Sequence, residues 1–413
     1  MIRKSLIDTK RSIALFLLVF ISYALIYMTK NCYSAAMASI VANGIMTKSE
    51  TGLIAAVFYL MYAPFQIIGG VAADKHSPGK LILIGTLGAA IANLLIYFTD
   101  NYIAMIIIWA LNAVAQFGIW PAVFKIVTTQ LAAAHRSNSI FFISLASTLG
   151  LVISYVCAAF IDYWKYNFLF SAVVLFVITV TFFFIYGNLE KSMVPEEAVC
   201  ANDAPTAKNK PEPNKLALII TSGMPLLLIV QIILSLLNLG AKSLVPVMLM
   251  ESYKSVSPAL ANILNILLIL AGPVGSLISM IPAIRKLSPT TTLAIFIAAI
   301  LPMLLIVMFV GKLPLALIVL ALTLMMIFAG ANSLSFSYIS KEFAKYDCVA
   351  TVSGMVNCMA ALGIVLANYV FAKLADVYGW GFTTRCWVII TVAALVLTLV
   401  CIPIWDRFVK RGR

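Results

Sequence analysis

Long apolar segments recur along the whole chain, and they constrain its fold more than any other feature of the sequence. Of the 413 residues, 63% are hydrophobic and only 10% are charged. A helix of roughly 20 apolar residues crosses the hydrocarbon core of a bilayer, and most of the segments reach that length. Because a soluble fold cannot bury this much apolar surface, we expect a polytopic helical membrane protein.

The polar interruptions between these segments predict twelve transmembrane helices. The one long interruption, 188–215, is rich in charge, proline and small residues and is typical of a flexible cytoplasmic linker. It predicts an all-α fold of two six-helix halves, 1–187 and 216–413, with a substrate site between them near the bilayer midplane. The predicted spans are 12–37, 51–73, 81–99, 102–130, 139–161, 166–187, 217–249, 257–281, 289–311, 313–337, 349–375 and 381–404.

The basic charge of the chain follows this topology. The formal net charge is +13, but most Lys and Arg residues collect in the tails and in the loops on one side of the membrane. This positive-inside pattern places both termini in the cytoplasm of a bacterium, with the spans in its inner membrane, and argues against nucleic-acid binding. The cysteines lie in spans and cytoplasmic loops, so no disulfide framework is expected. The cations predicted on the opposite side are Lys48, Lys165, Lys254, Lys312, Lys373 and Arg385.

Three lysines, Lys30, Lys125 and Lys242, remain within predicted spans once the cations assigned to the two sides, including Lys373 and Arg385 near span ends, are set aside. All 15 Asp and Glu residues fall instead in tails, in loops or at span ends. A lysine at the centre of a span costs about 2.5–3.5 kcal/mol on insertion scales, so we predict that an anionic substrate supplies the missing negative charge. The alternative is that each ammonium snorkels to the interface or has a structural role. For Lys125, close to the cytoplasmic end of its span, the two interpretations are evenly balanced.

Polar and aromatic side chains near these lysines can complete a substrate pocket. Tyr27 precedes Lys30 by three residues, so both can face one cavity. For each amide side chain taken alone, helix–helix hydrogen bonding is the alternative interpretation. The other candidates for substrate binding are Tyr62, Gln66, Trp120, Asn238 and Asn357.

A short motif, GGVAADKHSPGK at 69–80, follows the second span. Its glycines can let spans two and eleven approach closely, and Asp74 can cap neighbouring helix ends. The motif resembles the loop signature of the major facilitator superfamily, whose twelve-span layout agrees with the prediction. The residues assigned to this structural motif are Gly70, Asp74, Lys75 and Lys80.

Several stretches are similar to the organophosphate:phosphate antiporter family of that superfamily. They are YMTKNCYSAAM in the first span, GIWPAVFKIVTTQLAAAHR in the fourth, and SYISKEFAKYDCVATVSGMVNCMAALG and ADVYGWGF near the end. Members of the family clasp a phosphate with two arginines, one on span one and one on span seven. Here Lys30 stands at the first position, Asn238 stands at the second, and Lys242 lies one turn further along.

Lysine in place of arginine leaves the chemistry of the substrate open. Arginine grips two phosphate oxygens with a planar fork, whereas lysine is a point charge with looser geometric demands. A lysine pair suits a phosphate ester. It suits equally a carboxylate of the kind carried by the related anion:cation symporters.

The sequence therefore predicts a secondary transporter that moves a small organic anion, with an organophosphate favoured, by alternating access between its two halves. Exchange against phosphate or another anion is expected, because the loaded carrier crosses the closed state more easily than the empty one. A carboxylate or sugar-acid symporter and a transporter-like anion sensor are the alternatives. We expect a monomer in contact with membrane lipid, with no cofactor, metal site or enzyme activity.

Overall fold

The structure is a computed structural model that describes residues 4–5, 9–161, 163–195, 215–279, 281–343 and 349–411. Almost every described residue is helical, which confirms the predicted all-α class. Within these ranges the only strand pairing joins Lys4–Ser5 to Val194–Pro195 in a short antiparallel ladder. Most of the predicted linker, 196–214, lies outside the described residues.

The chain divides into two compact units. Unit 1 comprises Met1–Ala36 and Met61–Lys210, and unit 2 comprises Met37–Leu60 and Pro211–Arg413. Residues 37–60 thus belong to unit 2, although the predicted N-terminal half includes them. The domain boundaries 1–187, 188–215 and 216–413 stay a prediction.

The described residues before the linker form seven helices. The first two are shared between the units, because each crosses a boundary between them. The fourth predicted span contains two helices and ends in a π-helical turn, Ile126–Gln130. The helices are α1 (Thr9–Ala42), α2 (Lys48–Lys75), α3 (Pro78–Phe98), α4 (Tyr102–Ala115), α5 (Ile119–Lys125), α6 (Ala133–Phe160) and α7 (Trp164–Lys191).

Beyond the linker, the part of the chain that the structure describes forms ten helices, all of them in unit 2. Two further π-helical turns, Leu236–Gly240 and Ala367–Phe371, interrupt the predicted seventh and eleventh spans. The helices are α8 (Lys215–Thr221), α9 (Met224–Ser235), α10 (Ala241–Ser252), α11 (Pro258–Ile278), α12 (Pro282–Arg285), α13 (Pro289–Val307), α14 (Leu315–Glu342), α15 (Val349–Leu366), α16 (Ala372–Tyr378) and α17 (Trp380–Arg411).

All twelve predicted spans fall on these helices. In the part of the chain that the structure describes, nine helical segments are long and apolar enough to cross a membrane. A tenth is formed if Met224–Asn238 and Lys242–Ser252, which meet at a bend of 44°, count as one span. The other two predicted spans coincide with α2 and α6, each 28 residues long. The chain is therefore a multi-pass membrane protein.

Capping residues at the starts of several helices explain where those helices begin. The side chain of Asn101 accepts a hydrogen bond from the Ala104 N–H at the start of α4. Ser257 and Ser288 cap α11 and α13 in the same way, and each is followed by proline at the first helical position. Proline fits there because the first turn has no internal partner for its N–H.

In unit 1, α3 packs along α7. The contact is apolar, with Ile82, Leu175 and Phe182 in the same buried cluster. A polar contact also crosses it within the helices, since the hydroxyl of Thr179 donates to that of Thr86 at 2.8 Å. Burial of this apolar seam holds the third and sixth spans together.

In unit 2, α11 packs very closely along α14. Gly275 faces the Ile327 carbonyl, and Gly330 faces the carbonyl of Gly272, at distances that leave no room for a Cβ atom. Small residues at such crossings let two helix backbones approach each other. The glycines therefore set the spacing of this helix pair.

Replacing Gly275 by alanine is expected to lower the free energy of unfolding by about 1–3 kcal/mol, the usual cost of overpacking. The added methyl group meets backbone atoms of Ile327, which cannot rotate away. Gly354→Ala in α15 is the matched control, because nothing lies within 4 Å of an added Cβ there. Thermal unfolding in detergent measures both variants, and equal melting temperatures would contradict this account of the crossing.

Candidate substrate-binding site

Lys30 lies in the middle of α1 and is buried, with 8% of its surface exposed. Its ammonium lies 3.6 Å from the centroid of the Tyr62 ring and 5.2 Å from that of Tyr27. A cation over an aromatic face is attracted by the negative charge of the ring face, and this attraction grows when water is excluded. The two tyrosine rings therefore stabilise the ammonium.

Two more aromatic rings extend this arrangement into an aromatic cluster, defined as Tyr23, Tyr27, Tyr62 and Trp120. The ring of Tyr23 lies 5.7 Å from that of Tyr27 and 5.4 Å from that of Trp120. The helical spacing of Tyr23, Tyr27 and Lys30 puts them on one face of α1. The cluster thus brings together residues from the first, second and fourth spans within unit 1.

Replacing Tyr62 by leucine is expected to lower the melting temperature of the protein, because a desolvated cation–π contact contributes about 2 kcal/mol. Tyr62→Phe is the matched control, since it keeps the ring and removes only the hydroxyl. Differential scanning fluorimetry of both variants in detergent measures the effect. The role of the ring is excluded if phenylalanine and leucine destabilise the protein equally.

Gln66 and Lys125 also lie in unit 1, and both contact backbone carbonyls. The amide of Gln66 donates to the Phe117 carbonyl at 3.3 Å. The ammonium of Lys125 donates to the Ala73 carbonyl, two residues before the end of α2. A cation near a helix C-terminus satisfies its last carbonyls and complements its dipole. Substrate binding by Lys125 and its alternative, snorkelling to the interface, both stay predictions.

The glycines of the loop motif differ in their surroundings. An added Cβ at Gly69 would overlap the Phe117 carbonyl in the fourth span, whereas Gly70 has open space around it. The close approach of spans two and eleven occurs instead at Gly52, where α2 meets the Asn368 carbonyl within unit 2. Lys75 and Lys80 are exposed at the end of α2 and the start of α3, and the side chain of Asp74 lies outside the described residues.

Lys242 is the buried lysine of unit 2, with 9% of its surface exposed. It lies in the first turn of α10, directly after the π-helical turn. Its backbone carbonyl accepts a hydrogen bond from the Asn265 amide at 2.7 Å. Its ammonium extends to Gly272 of α11, where an added Cβ would lie 3.6 Å away. Lys242 thus contacts the eighth span through both its backbone carbonyl and its side chain.

The two predicted amide ligands in unit 2 have different environments. The Oδ1 atom of Asn238 is buried, and no described group donates a hydrogen bond to it. Asn357 is exposed on α15. Neither has a described contact with a lysine ammonium, so substrate binding by Asn238 and Asn357 stays a prediction.

An ion-pair network at the start of α2 was not predicted from the sequence. The ammonium of Lys48 lies 2.9 Å from Glu251 and 3.4 Å from Asp376, all in unit 2. Glu251 also accepts from the indole of Trp380 at 2.7 Å, and Asp376 accepts from the Ser49 N–H at 2.6 Å. These residues are far apart in the sequence. The only feature that could have suggested the network is that all of them lie near span ends predicted to be on the non-cytoplasmic side of the membrane.

A family model decides the class of this protein. Residues 19–368 match the model of the Major Facilitator Superfamily. The chain belongs to this superfamily. Its relatives and structural neighbours are membrane transporters and a membrane sensor rather than enzymes.

The curated relatives of this superfamily member match it over a minority of their length. Membrane sensor protein UhpC of Escherichia coli (strain K12) is 30% identical over 122 residues, which are 30% of this chain and 28% of that protein. A probable hexose phosphate transport protein of Chlamydia pneumoniae is 25% identical over 126 residues, 30% of this chain and 28% of the relative. The glycerol-3-phosphate transporter of Bacillus subtilis (strain 168) is 24% identical over 173 residues, 40% and 38% of the two chains.

Solved structures match over nearly the whole chain. The nucleoside transporter NupG superposes with a TM-score of 0.71 at 14% identity, covering 95% of this chain and 99% of that one. A POT family transporter in complex with a thioalcohol conjugated peptide gives 0.73 at 14% identity, covering 96% of each chain. At such identities the likeness establishes the fold alone.

Proposed function

We propose that this protein is a secondary transporter of a small organic anion, and that the anion is an organophosphate. The buried ammonium of Lys30 carries the proposal. It lies 3.6 Å from the Tyr62 ring beside the aromatic cluster, and a buried cation in the middle of a span attracts a negatively charged substrate. The names of two relatives, a hexose phosphate transport protein and a glycerol-3-phosphate transporter, favour a phosphate ester.

In the proposed mechanism, Lys30 and Lys242 bind the same anion during alternating access. The anion neutralises both cations, so the loaded carrier changes conformation more easily than the empty carrier. This difference favours exchange against inorganic phosphate or a second anion over net uptake. The protein would work as a monomer in the bacterial cytoplasmic membrane with both termini in the cytoplasm, as the distribution of Lys and Arg predicts.

Transport into liposomes tests this function. Purified protein is reconstituted into liposomes loaded with inorganic phosphate, and uptake of radiolabelled glucose 6-phosphate and glycerol 3-phosphate is followed. We expect uptake that depends on internal phosphate. Glucuronate provides the comparison for the carboxylate alternative, and uptake of glucuronate without uptake of either phosphate ester would overturn the organophosphate assignment.

A sensor that binds an anion without moving it is the second candidate. The observation that favours it is the match to a protein named as a membrane sensor, at 30% identity over 122 residues. A sensor keeps the same binding residues, so binding alone does not separate the two functions. Calorimetric binding of glucose 6-phosphate without any flux in the liposome assay would favour the sensor.

A further inference from the structure

The part of α2 that follows the ion-pair network is packed tightly inside unit 2. Six of the eight residues in 51–58 are buried. Gly52 faces the carbonyl of Asn368 and the side chain of Ala372 at distances that leave no room for a Cβ atom. Such a close approach brings the helix backbones together and excludes water from the contact. This segment of the second span is therefore closed against the eleventh span.

The ion-pair network fastens the start of this segment to two other spans. The ammonium of Lys48 donates to both carboxylate oxygens of Glu251, at 3.0 and 2.9 Å, at the end of α10. Asp376 in α16 lies 3.4 Å from the same ammonium and accepts from the Ser49 N–H. A carboxylate at the first turn of a helix also complements the helix dipole. The contacts thus join the start of span two to the ends of spans seven and eleven.

The charges of the network are only partly shielded from water. The side chain of Lys48 is 15% exposed, that of Glu251 is 27% exposed, and that of Asp376 is 21% exposed. Ion pairs that remain in contact with water contribute little stability, because hydration compensates when they separate. A fully buried pair would instead leave uncompensated charges behind. The network is therefore suited to contacts that break and form again.

The same helix leads from the network to the candidate substrate site. Lys48 precedes Tyr62 by 14 residues, and the Tyr62 ring lies 3.6 Å from the ammonium of Lys30. The boundary between the two units follows Leu60, and Pro64 lies within α2 four residues later. Because proline has no N–H to donate to the Leu60 carbonyl, the helix is weakened at this boundary. The segment before Leu60 can thus move without displacing Tyr62 from Lys30.

We propose that the ion-pair network is a gate that closes the candidate substrate site on the predicted non-cytoplasmic side. It breaks each time the carrier opens to that side, and it forms again when that side closes. The proposal rests on the proposed transport function, since a carrier exposes its site to each side in turn. With the network formed, the buried segment 51–58 excludes water along this part of α2; with the network broken, that segment becomes hydrated.

Thiol labelling of Ala55→Cys tests the proposal. Ala55 is 2% exposed and lies seven residues after Lys48, on the same face of α2. The full chain in nanodiscs, which leave both faces accessible, is treated with a hydrophilic maleimide, and protein without Ala55→Cys gives the background from the native cysteines. We expect Lys48→Met to increase the labelling rate at least about tenfold, or about 1.4 kcal/mol. An unchanged rate would overturn the proposal.

Two controls separate opening of the gate from general loosening of the fold. Gly275→Ala is expected to destabilise unit 2 at a crossing of other helices, and Lys165→Ala removes the ion pair with Asp100 in unit 1. We expect neither change to increase labelling of Ala55→Cys. An increase in Gly275→Ala protein equal to that in Lys48→Met protein would attribute the effect to lost stability and would refute the gate.

A second variant keeps the proposal falsifiable if Lys48→Met protein does not fold. Asp376→Asn keeps an oxygen that can accept from the Ser49 N–H and removes only the charge. We expect Asp376→Asn to increase labelling of Ala55→Cys at least about threefold, less than Lys48→Met does because Glu251 still pairs with Lys48. Labelling at the wild-type rate in Asp376→Asn protein would refute the gate.

The labelling experiment uses no substrate, so its result is independent of the organophosphate assignment. Faster labelling in Lys48→Met protein, without phosphate-ester uptake in the liposome assay, would contradict the proposed function and keep the gate. Uptake of a phosphate ester together with unchanged labelling would keep the proposed function and refute the gate.

Discussion

Replacing Lys30 by alanine is expected to weaken binding of glucose 6-phosphate or glycerol 3-phosphate at least about 100-fold, or about 2.8 kcal/mol at 1.4 kcal/mol per tenfold change. Removing one member of a desolvated charge pair costs this much or more, because the other charge loses its partner in a site that excludes water. The ammonium is held over Tyr62 and Tyr27, so no neighbouring cation can take its place without rearranging the aromatic cluster. Titration calorimetry of the purified protein measures the loss.

Lys165→Ala is the matched control for this prediction. Lys165 is another buried lysine of unit 1, 7% exposed, but it pairs with Asp100 near the end of its span. Its loss is expected to lower the melting temperature and to leave the affinity for the phosphate ester unchanged. Lys30→Ala protein that folds and binds the ester with wild-type affinity would exclude Lys30 from the binding site.

A double-mutant cycle with Lys242 has the second large expected effect. Lys242→Ala alone is expected to weaken binding of the phosphate ester about 10- to 100-fold, the range for loss of a charge-assisted contact. If the two lysines acted independently, the double variant Lys30→Ala, Lys242→Ala would lose affinity by the product of the two single fold-losses. We expect its loss to be at least about tenfold smaller than that product. The free-energy losses caused by two substitutions do not add when both residues act on one shared partner, whereas the losses from independent residues do add.

Lys254→Ala provides the reference for this cycle. Lys254 is an exposed lysine of unit 2, so its removal changes the net charge as Lys242→Ala does without removing a buried cation. We expect Lys254→Ala to reduce the affinity only slightly. In the double variant with Lys30→Ala, the fold-loss of affinity should equal the product of the two single fold-losses. If the losses from Lys30→Ala and Lys242→Ala also multiply, the two lysines do not share an anion.

The positions of the spans could be predicted because they depend on local sequence. Apolar length alone predicted where the helices lie, and Ser-Pro pairs mark the starts of α3 and α13. The contact between Lys30 and Tyr27 also followed from local spacing, since residues three apart lie on one helix face. Each of these features is determined within one or two helical turns.

The remaining parts of the candidate site depend on how helices pack, and no pattern in the sequence encodes that. Tyr62 lies 32 residues from Lys30 along the chain, yet its ring is closer to the ammonium than that of Tyr27. The contact of Lys125 with Ala73 likewise joins two spans. Composition indicated which residue types were available in the membrane, and only the packed structure shows which of them meet.

Three π-helical turns among the described residues, 126–130, 236–240 and 367–371, have a consequence for how this chain tolerates changes in length. A π turn holds one residue more than an α turn, and each residue of an α-helix advances the winding by about 100°. Deleting one residue within 236–240 would let the seventh span wind without interruption and would carry the ammonium of Lys242 round to another side of its helix. Gain or loss of a single residue at these three places therefore changes the direction of every side chain that follows in the same span.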